Sequence, residues 1–372
     1  MKKKLVIFHP AIAPYRIDFF NSLNKEFNAK FYFEYGDVLE QSFKQDELKC
    51  LLDFQPNFLA PGFLGIKNLR LQVLSILKKE KPDIIFCCEY NILGFLVLLY
   101  KYLFNHNVRV VTICDDSKDI AIHDKGFKRV FRSILVKLYS GIILTNNEVI
   151  SWYTDTYQIK EKLLFLPIVQ DDNVFRKKLN EALPISEQIV KNMNLVNKQL
   201  ILYVGRLIDI KNLIFLLYGF SQLIQRYPNV VLLLVGDGDQ RFLLEQEVER
   251  LRITDRVFFV GKKEGSELYA YYNIGHVFVL PSYYERFGAV VNEALLSGCY
   301  TLCSKLAGAS CLITENRNGD IFDPYNVKEF TYKLDEYLSK IEPLKQISLK
   351  PNRMDKEYSV YMKDLLTKLN VL

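Results

Sequence analysis

The sequence predicts an α/β protein built from two doubly wound, Rossmann-like domains facing a central cleft, and three observations carry that reading. Apolar, β-rich runs alternate with amphipathic stretches through nearly all 372 residues. The alternation falls into two series, one on each side of a segment rich in Asn, Lys and Gln. At roughly 100–200 residues per domain, the length suits two domains. Continuous apolar strands joined by helices belong to parallel sheets covered on both faces.

In chain order, the first strand is read at Leu5–Phe8. The basic N-terminus carries only a four-residue apolar run there, too short for a signal-peptide core. A helix-like stretch follows at Tyr15–Phe27, and another at Leu69–Lys79. Strands are read at Ala29–Phe33, Ile84–Cys88, Arg109–Ile113, Gly141–Thr145 and Leu163–Leu166. The longest apolar stretch, Ile92–Tyr100 prolonged to Phe104, is too short to span a bilayer. The connecting hinge is placed in Pro167–Gln199, with Pro184 inside it. The second series has strands at Leu200–Val204, Val230–Val235, Val257–Val260, Val277–Leu280 and Tyr300–Ser304. Its helices are read at Asn212–Arg226, Arg241–Leu251, Ser266–Tyr272 and Gly288–Ser297. In the tail, Tyr358, Tyr361, Leu365 and Leu369 stand at helical spacing. The expected domains are therefore 1–180 and 181–354, with a final helix over 355–372 that is free to return to the first domain.

Composition narrows the function. Hydrophobic residues make up 49% and charged residues 25%, which excludes a disordered or collagen-like chain. A net charge of +6 is mild for a nucleic-acid binder, and none is expected as partner. The excess is uneven: residues 1–180 carry 26 basic and 20 acidic side chains, whereas residues 181–372 carry 23 of each. Such asymmetry points to an anionic partner or surface for the first half. Seven cysteines without paired C-x-x-C units argue against a zinc ribbon. They read as thiols in a reducing compartment, hence a cytoplasmic protein, soluble or peripheral on the inner face of the membrane.

Three segments of the second half carry candidate chemistry. In Tyr203-Val-Gly205-Arg206-Leu-Ile-Asp-Ile-Lys211-Asn, a guanidinium and an ammonium follow a strand and precede a helix. Open α/β sheets bind ligands at that edge, and the two cations suit a diphosphate. The bland alternative is two solvated cations in a loop. In Val235-Gly236-Asp237-Gly238 the glycines permit a tight turn, structural or ligand-binding; Arg241 breaks the dinucleotide fingerprint. In Ser282-Tyr-Tyr-Glu285-Arg-Phe-Gly288-Ala-Val-Val-Asn-Glu293-Ala, two carboxylates stand eight residues apart across a strand-to-helix edge. Glu285 falls in the loop, and Glu293 about one and a half turns into the helix. One suits a sugar ring and the other a ribose diol, with the helix-start amides at Gly288 left for a phosphate. A helix-start acid and a surface acid are the competing assignment.

These segments, with Phe259-Val260-Gly261 between them and Pro281 opening the last, resemble the GT-B glycosyltransferases of family 4 over residues 198–325. The resemblance implies that Arg206 and Lys211 hold the diphosphate of a nucleotide-sugar donor such as a UDP- or GDP-sugar. It implies Glu293 on the ribose, Glu285 on the transferred sugar beside the backbone of Phe287 and Gly288, and Gly205, Gly236, Gly261 and Lys262 lining the donor site toward the base. It also implies a retaining transfer that needs no metal and no other cofactor, because the two cations offset the charge of the leaving diphosphate.

The first half resembles the family more loosely. His9-Pro-Ala-Ile-Ala-Pro14-Tyr15-Arg16 is similar to the P-Y-R opening of a subset, with Ala11 and Ala13 where a glycine-rich loop is usual. Pro14, Tyr15 and Arg16 are assigned to the acceptor side, with Arg16 as an anion partner or a core-edge cation. Many relatives end a nearby strand with a His facing the reaction centre. Here Cys114-Asp115-Asp116-Ser117 stands there, so Asp115 or Asp116 takes that place or caps the next segment. His106, His123 and His276 are given no role. In Gly126–Ser140, Phe127, Val130, Phe131, Ile134, Leu135 and Leu138 share one helical face, with Lys128, Arg129, Arg132 and Lys137 around the other. That pattern fits a domain helix, an anionic membrane contact, or both.

The expected function is transfer of a sugar to a saccharide or lipid-linked acceptor in cell-surface polysaccharide or lipopolysaccharide synthesis. The rivals are an epimerase or hydrolase acting on the same donor, and a non-catalytic sugar-nucleotide-binding protein.

Overall fold

The computed structural model describes residues 2–36, 43–63, 66, 69–123 and 126–371. The chain divides into two units, one of Met1–Gln170 with Tyr358–Leu372 and one of Asp171–Glu357.

The first unit is a seven-stranded parallel sheet: β1 (Lys4–His9), β2 (Asn28–Phe33), β3 (Asn57–Phe58), β4 (Ile84–Cys88), β5 (Arg109–Cys114), β6 (Gly141–Leu144) and β7 (Leu163–Phe165). The strand order is β3-β2-β1-β4-β5-β6-β7. Ile7 is in register with Phe31 on one side and Phe86 on the other. The core gathers Val6, Phe8, Ile85, Val110 and Ile142 of the sheet with Leu77 and Val97 of the helices Gln72–Glu80 and Ile92–Phe104. Asn91 starts the second of these helices by accepting the Gly94 amide at 2.9 Å.

The second unit is a six-stranded parallel sheet: β8 (Gln199–Val204), β9 (Val230–Val235), β10 (Val257–Gly261), β11 (Val277–Leu280), β12 (Tyr300–Ser304) and β13 (Gly319–Phe322). The order is β10-β9-β8-β11-β12-β13. Every residue of β8, β9 and β11 is buried. Each Val or Leu so buried contributes about 1.5–3 kcal/mol, which explains why these runs are apolar without alternation. In each sheet the strand order reverses once, between β1 and β4 and between β8 and β11. Such switch points open a crevice at the carboxyl ends of the strands.

Several expectations are corrected. The segment read as a hinge, Pro167–Gln199, holds two helices, Asp172–Glu181 and Leu183–Asn192, and the second unit begins at Asp171 rather than 181. Asp171 accepts the Asn173 and Val174 amides at 3.0 and 3.1 Å, and Pro184 sits in the first turn of the second helix. Phe175, Leu179 and Val190 form the buried stripe. Asn273 Nδ2 donates to Leu179 O at 2.8 Å, tying these helices to the helix Gly265–Ile274. The short strand β3 and the Gly-Asp start of β13 gave no apolar run to read.

The last helix, Tyr358–Val371, belongs to the first unit and buries Tyr358, Tyr361, Leu365 and Leu369. Tyr358 Oη donates to Ser22 Oγ at 2.8 Å, and Arg109 Nη1 donates to Leu369 O at 2.7 Å. Among the described residues, no helix is long and apolar enough to cross a membrane.

Candidate active site

The second unit's switch point brings together the loops after β8 and β11. Lys211 ends a 3-10 turn, Asp209–Lys211, ahead of the helix Leu213–Ser221. Its ammonium contacts the Glu285 carboxylate directly. The side chains are 13% and 16% exposed, so this is not a solvated surface pair. Sheltering two charges costs desolvation that the pairing must offset.

The loops are tied at further points. The Tyr283 amide donates to Ile210 O at 3.2 Å, and the Tyr283 hydroxyl donates to Asp209. Asn212 Nδ2 donates to Pro281 O at 3.3 Å and to Pro324 O at 2.9 Å. Gly288 has φ +94°, a left-handed backbone, and a Cβ there would press on Leu280 and on the Glu285 side chain. Phe287 is buried, and its carbonyl accepts the Ala309 amide at 2.7 Å.

Glu293 lies in the first turn of the helix Val290–Leu296, which starts two residues later than expected, so it is nearer the sheet edge than one and a half turns. Tyr272 Oη donates to Glu293 Oε2 at 2.8 Å. Burial, reinforced by the Glu293 charge, pushes the Tyr272 hydroxyl well above its ordinary pKa, so it stays a donor. Sequence reasoning missed Tyr272: among neighbouring tyrosines on a helix, it reads as core.

The loops expected to line the donor lie side by side. The Gly205 amide donates to Val235 O at 3.0 Å, and the Gly236 amide to Gly261 O at 2.9 Å. A Cβ on Gly236 would collide with the Gly205 carbonyl, so only glycine permits this approach. Arg206 is half-buried, and its carbonyl accepts from Tyr203 Oη at 2.8 Å. Lys262 is exposed and pairs with Glu264 at 2.7 Å.

In the first unit, Pro14–Arg16 forms a 3-10 turn after β1, with Ala11 and Ala13 buried. Arg16 is a core-edge cation: it is 2% exposed, and Nη2 donates to Asp115 Oδ1 at 2.5 Å. Asp115 stands at the end of β5 as the partner of Arg16, and Asp116 holds Arg132 at 2.7 Å. Arg132 is buried, with its guanidinium 5.1 Å from the Tyr90 ring, and so is lost from the solvent-facing cations expected on the helix Phe127–Leu138. Leu135 of that helix is buried, while Val130 and Ile134 are exposed, so the expected apolar face is split. The Phe127 side chain lies outside the described residues.

His9 ends β1 near this pair, with Nδ1 2.9 Å from Ala11 O. Burial, with Arg16 adding to it, lowers its pKa to about 4. Among the described residues, one group of metal-ligand type gathers, Glu89, Cys114 and Asp116, with ligand atoms within 4.8 Å of one another. It lies in the first unit and shares no residue with the Lys211, Glu285 and Glu293 group.

Comparison with known proteins gives the family and the fold. Residues 185–350 match the family described as "Glycosyl transferases group 1". The chain is 30% identical over 298 residues to an uncharacterized glycosyltransferase of Methanocaldococcus jannaschii, covering 76% of this chain and 73% of that protein. It is 29% identical over 208 residues to mannosylfructose-phosphate synthase of Agrobacterium fabrum, covering 53% of this chain but only 44% of that enzyme. The fold is similar to the crystal structure of Anabaena HepE in complex with UDP, with a TM-score of 0.76 at 16% identity over 99% of this chain and 100% of that one. It is also similar to the lipopolysaccharide outer core galactosyltransferase WaaB, with a TM-score of 0.70 at 16% identity over 99% of each chain.

Proposed function

Because the chain belongs to the glycosyl transferases of group 1 and has the two-sheet GT-B fold, we propose that it moves a sugar from a nucleoside-diphosphate sugar to a saccharide or lipid-linked acceptor, with retention at the anomeric carbon. The observation that carries this is the contact of Lys211 with Glu285 at the β8/β11 switch point, with Glu293 held by Tyr272 on the helix that follows.

In this reading Arg206 and Lys211 take the diphosphate, Glu293 the ribose diol and Glu285 the transferred sugar. Gly205, Gly236, Gly261 and Lys262 line the nucleotide, and the amides of Phe287 and Gly288 face the reacting end. The bond from the anomeric carbon to the phosphate oxygen breaks, and a bond from that carbon to an acceptor oxygen forms. The acceptor's proton passes to the departing phosphate. Positive charge fixed where negative charge develops is the main contribution, so no metal ion is required.

The acceptor side is assigned to the first unit around Pro14, Tyr15, Arg16 and Asp115. The lipopolysaccharide role of WaaB supports an acceptor of the cell-surface saccharide class. Exposed Val130 and Ile134 beside exposed Lys128 and Arg129 support contact with an anionic membrane, at its cytoplasmic face.

The test is release of nucleoside diphosphate from UDP- and GDP-sugars, with and without a set of methyl glycosides as surrogate acceptors. Release that depends on an acceptor and yields a glycoside of unchanged anomeric configuration is expected. Equal release without acceptor would make the protein a hydrolase. Epimerised sugar would make it an epimerase, and donor binding without turnover a binding protein.

A further inference from the structure

Tyr283 and Tyr325 lie nearly parallel at the carboxyl edge of the second sheet, with ring centroids 6.3 Å apart and 17° between their planes. Tyr283 follows β11 and Tyr325 follows β13. At 73% exposure, Tyr325 is the most exposed aromatic residue among those described, and neighbouring Tyr284 is 44% exposed.

These rings are not left on loose chain. The Tyr325 amide donates to Asp323 Oδ1 at 3.0 Å, and the preceding Pro324 carbonyl accepts from Asn212 at 2.9 Å. Tyr283 is held at both ends, its hydroxyl on Asp209 and its amide on Ile210 O at 3.2 Å. Two rings ordered in advance, with an apolar face open to water, lose little conformational freedom when they bind.

We propose that Tyr283 and Tyr325 form a stacking platform for a pyranose ring of the acceptor saccharide. A pyranose presents C–H groups on its face and hydroxyls at its rim, which matches a flat aromatic surface edged with phenol oxygens. The donor's base is a poor candidate for the same surface. It is assigned to the loop of Gly261 and Lys262 at the end of β10, and β10 and β13 are opposite edges of the six-stranded sheet. The platform follows β11 and β13, three and five strand spacings from β10, so roughly 14–24 Å separate it from that end. The donor's own sugar is assigned to Glu285, two residues beyond Tyr283, so the ring that reaches the platform belongs to the acceptor. This step rests on the reading of Glu285 given above.

The test uses the full chain and a set of methyl hexopyranosides, followed by saturation-transfer NMR on the wild-type protein and on Tyr325→Ala and Tyr325→Trp. Tyr325 is exposed, so both variants should melt as the wild type does. At least one methyl hexopyranoside should show transfer concentrated on the C–H protons of one ring face. Its affinity should fall about fivefold in Tyr325→Ala and be retained in Tyr325→Trp. Affinity for UDP- and GDP-sugars should stay unchanged in both variants. Equal signals in the wild type and Tyr325→Ala, or no signal from any methyl hexopyranoside, overturns the platform. A matching loss of nucleotide-sugar affinity assigns the rings to the donor and overturns the acceptor role. Failure of every nucleotide sugar to bind the wild type would instead remove the donor reading itself.

Discussion

Lys211 and Glu285, 74 residues apart in sequence, meet as a sheltered ion pair where the strand order of the second sheet reverses. A sheltered ion pair of this kind gains little in stability over apolar side chains of similar volume. A pair replaced by apolar side chains would avoid the desolvation of two charges. The pair makes sense as a preset cation waiting for an anionic ligand, with a carboxylate that then faces what the ligand carries.

Removing the cation should therefore remove the reaction. Lys211→Ala is expected to lower kcat by about 100-fold or more, with the circular dichroism spectrum of the wild type. Near-normal turnover would withdraw the diphosphate assignment.

Glu285 is given a different duty. Glu285→Ala should impair turnover of the nucleotide sugar while affinity for free UDP or GDP changes by less than about twofold. An equal loss of affinity for the free nucleotide would contradict its role on the sugar.

Tyr272 touches no substrate in this account and acts through Glu293. A hydrogen bond to a charged group is worth about 1.5–3 kcal/mol, so Tyr272→Phe should raise KM for the donor by about tenfold and leave kcat near the wild-type value. A fall in kcat with unchanged KM would show that the hydroxyl serves something other than ribose binding.

Acid should weaken the fold through its buried histidines. Burial, with Lys350 adding to it, lowers the His276 pKa to about 3, and Nδ1 accepts the Leu200 amide at 3.0 Å. The unfolded chain takes up a proton near pH 6.5 while the folded imidazole stays neutral. Stability is therefore full above about 6.5 and falls as pH drops toward 3, by about 1.4 kcal/mol per pH unit from this residue. His276→Asn keeps an acceptor for Leu200 and should give a shallower decline in Tm between pH 6.5 and 4. His9, lowered to about 4, should leave a residual slope in the same window. An unchanged slope in the variant would mean that His276 is not the proton acceptor.

Much of this was legible in the sequence because buried parallel strands carry few polar residues, such as Gln199 at the start of β8. The runs at β8, β9 and β11 declare themselves for that reason, and the spacing from Gly205 to Lys211 and from Glu285 to Glu293 marks the loops that follow them. What stayed hidden depends on partners distant in sequence. Arg132 looks like a solvent-facing cation until Asp116 is seen to bury it. Tyr272 looks like core until its hydroxyl is seen on a carboxylate 21 residues later. The helices Asp172–Glu181 and Leu183–Asn192 were read as a hinge because their polar faces dominate the composition, and Phe175, Leu179 and Val190 are too few to stand out.

On the reading proposed above, one nucleoside-diphosphate sugar occupies the Arg206, Lys211, Glu285 and Glu293 site. The most direct check is the melting temperature of the wild type and of Lys211→Ala across UDP- and GDP-sugars and the free nucleotides, since a ligand bound only by the folded form raises Tm. Nucleotides sharing one base should raise Tm of the wild type in a concentration-dependent way and leave Lys211→Ala nearly unmoved. A flat response of the wild type to every nucleotide, or an equal rise in both proteins, would contradict that reading.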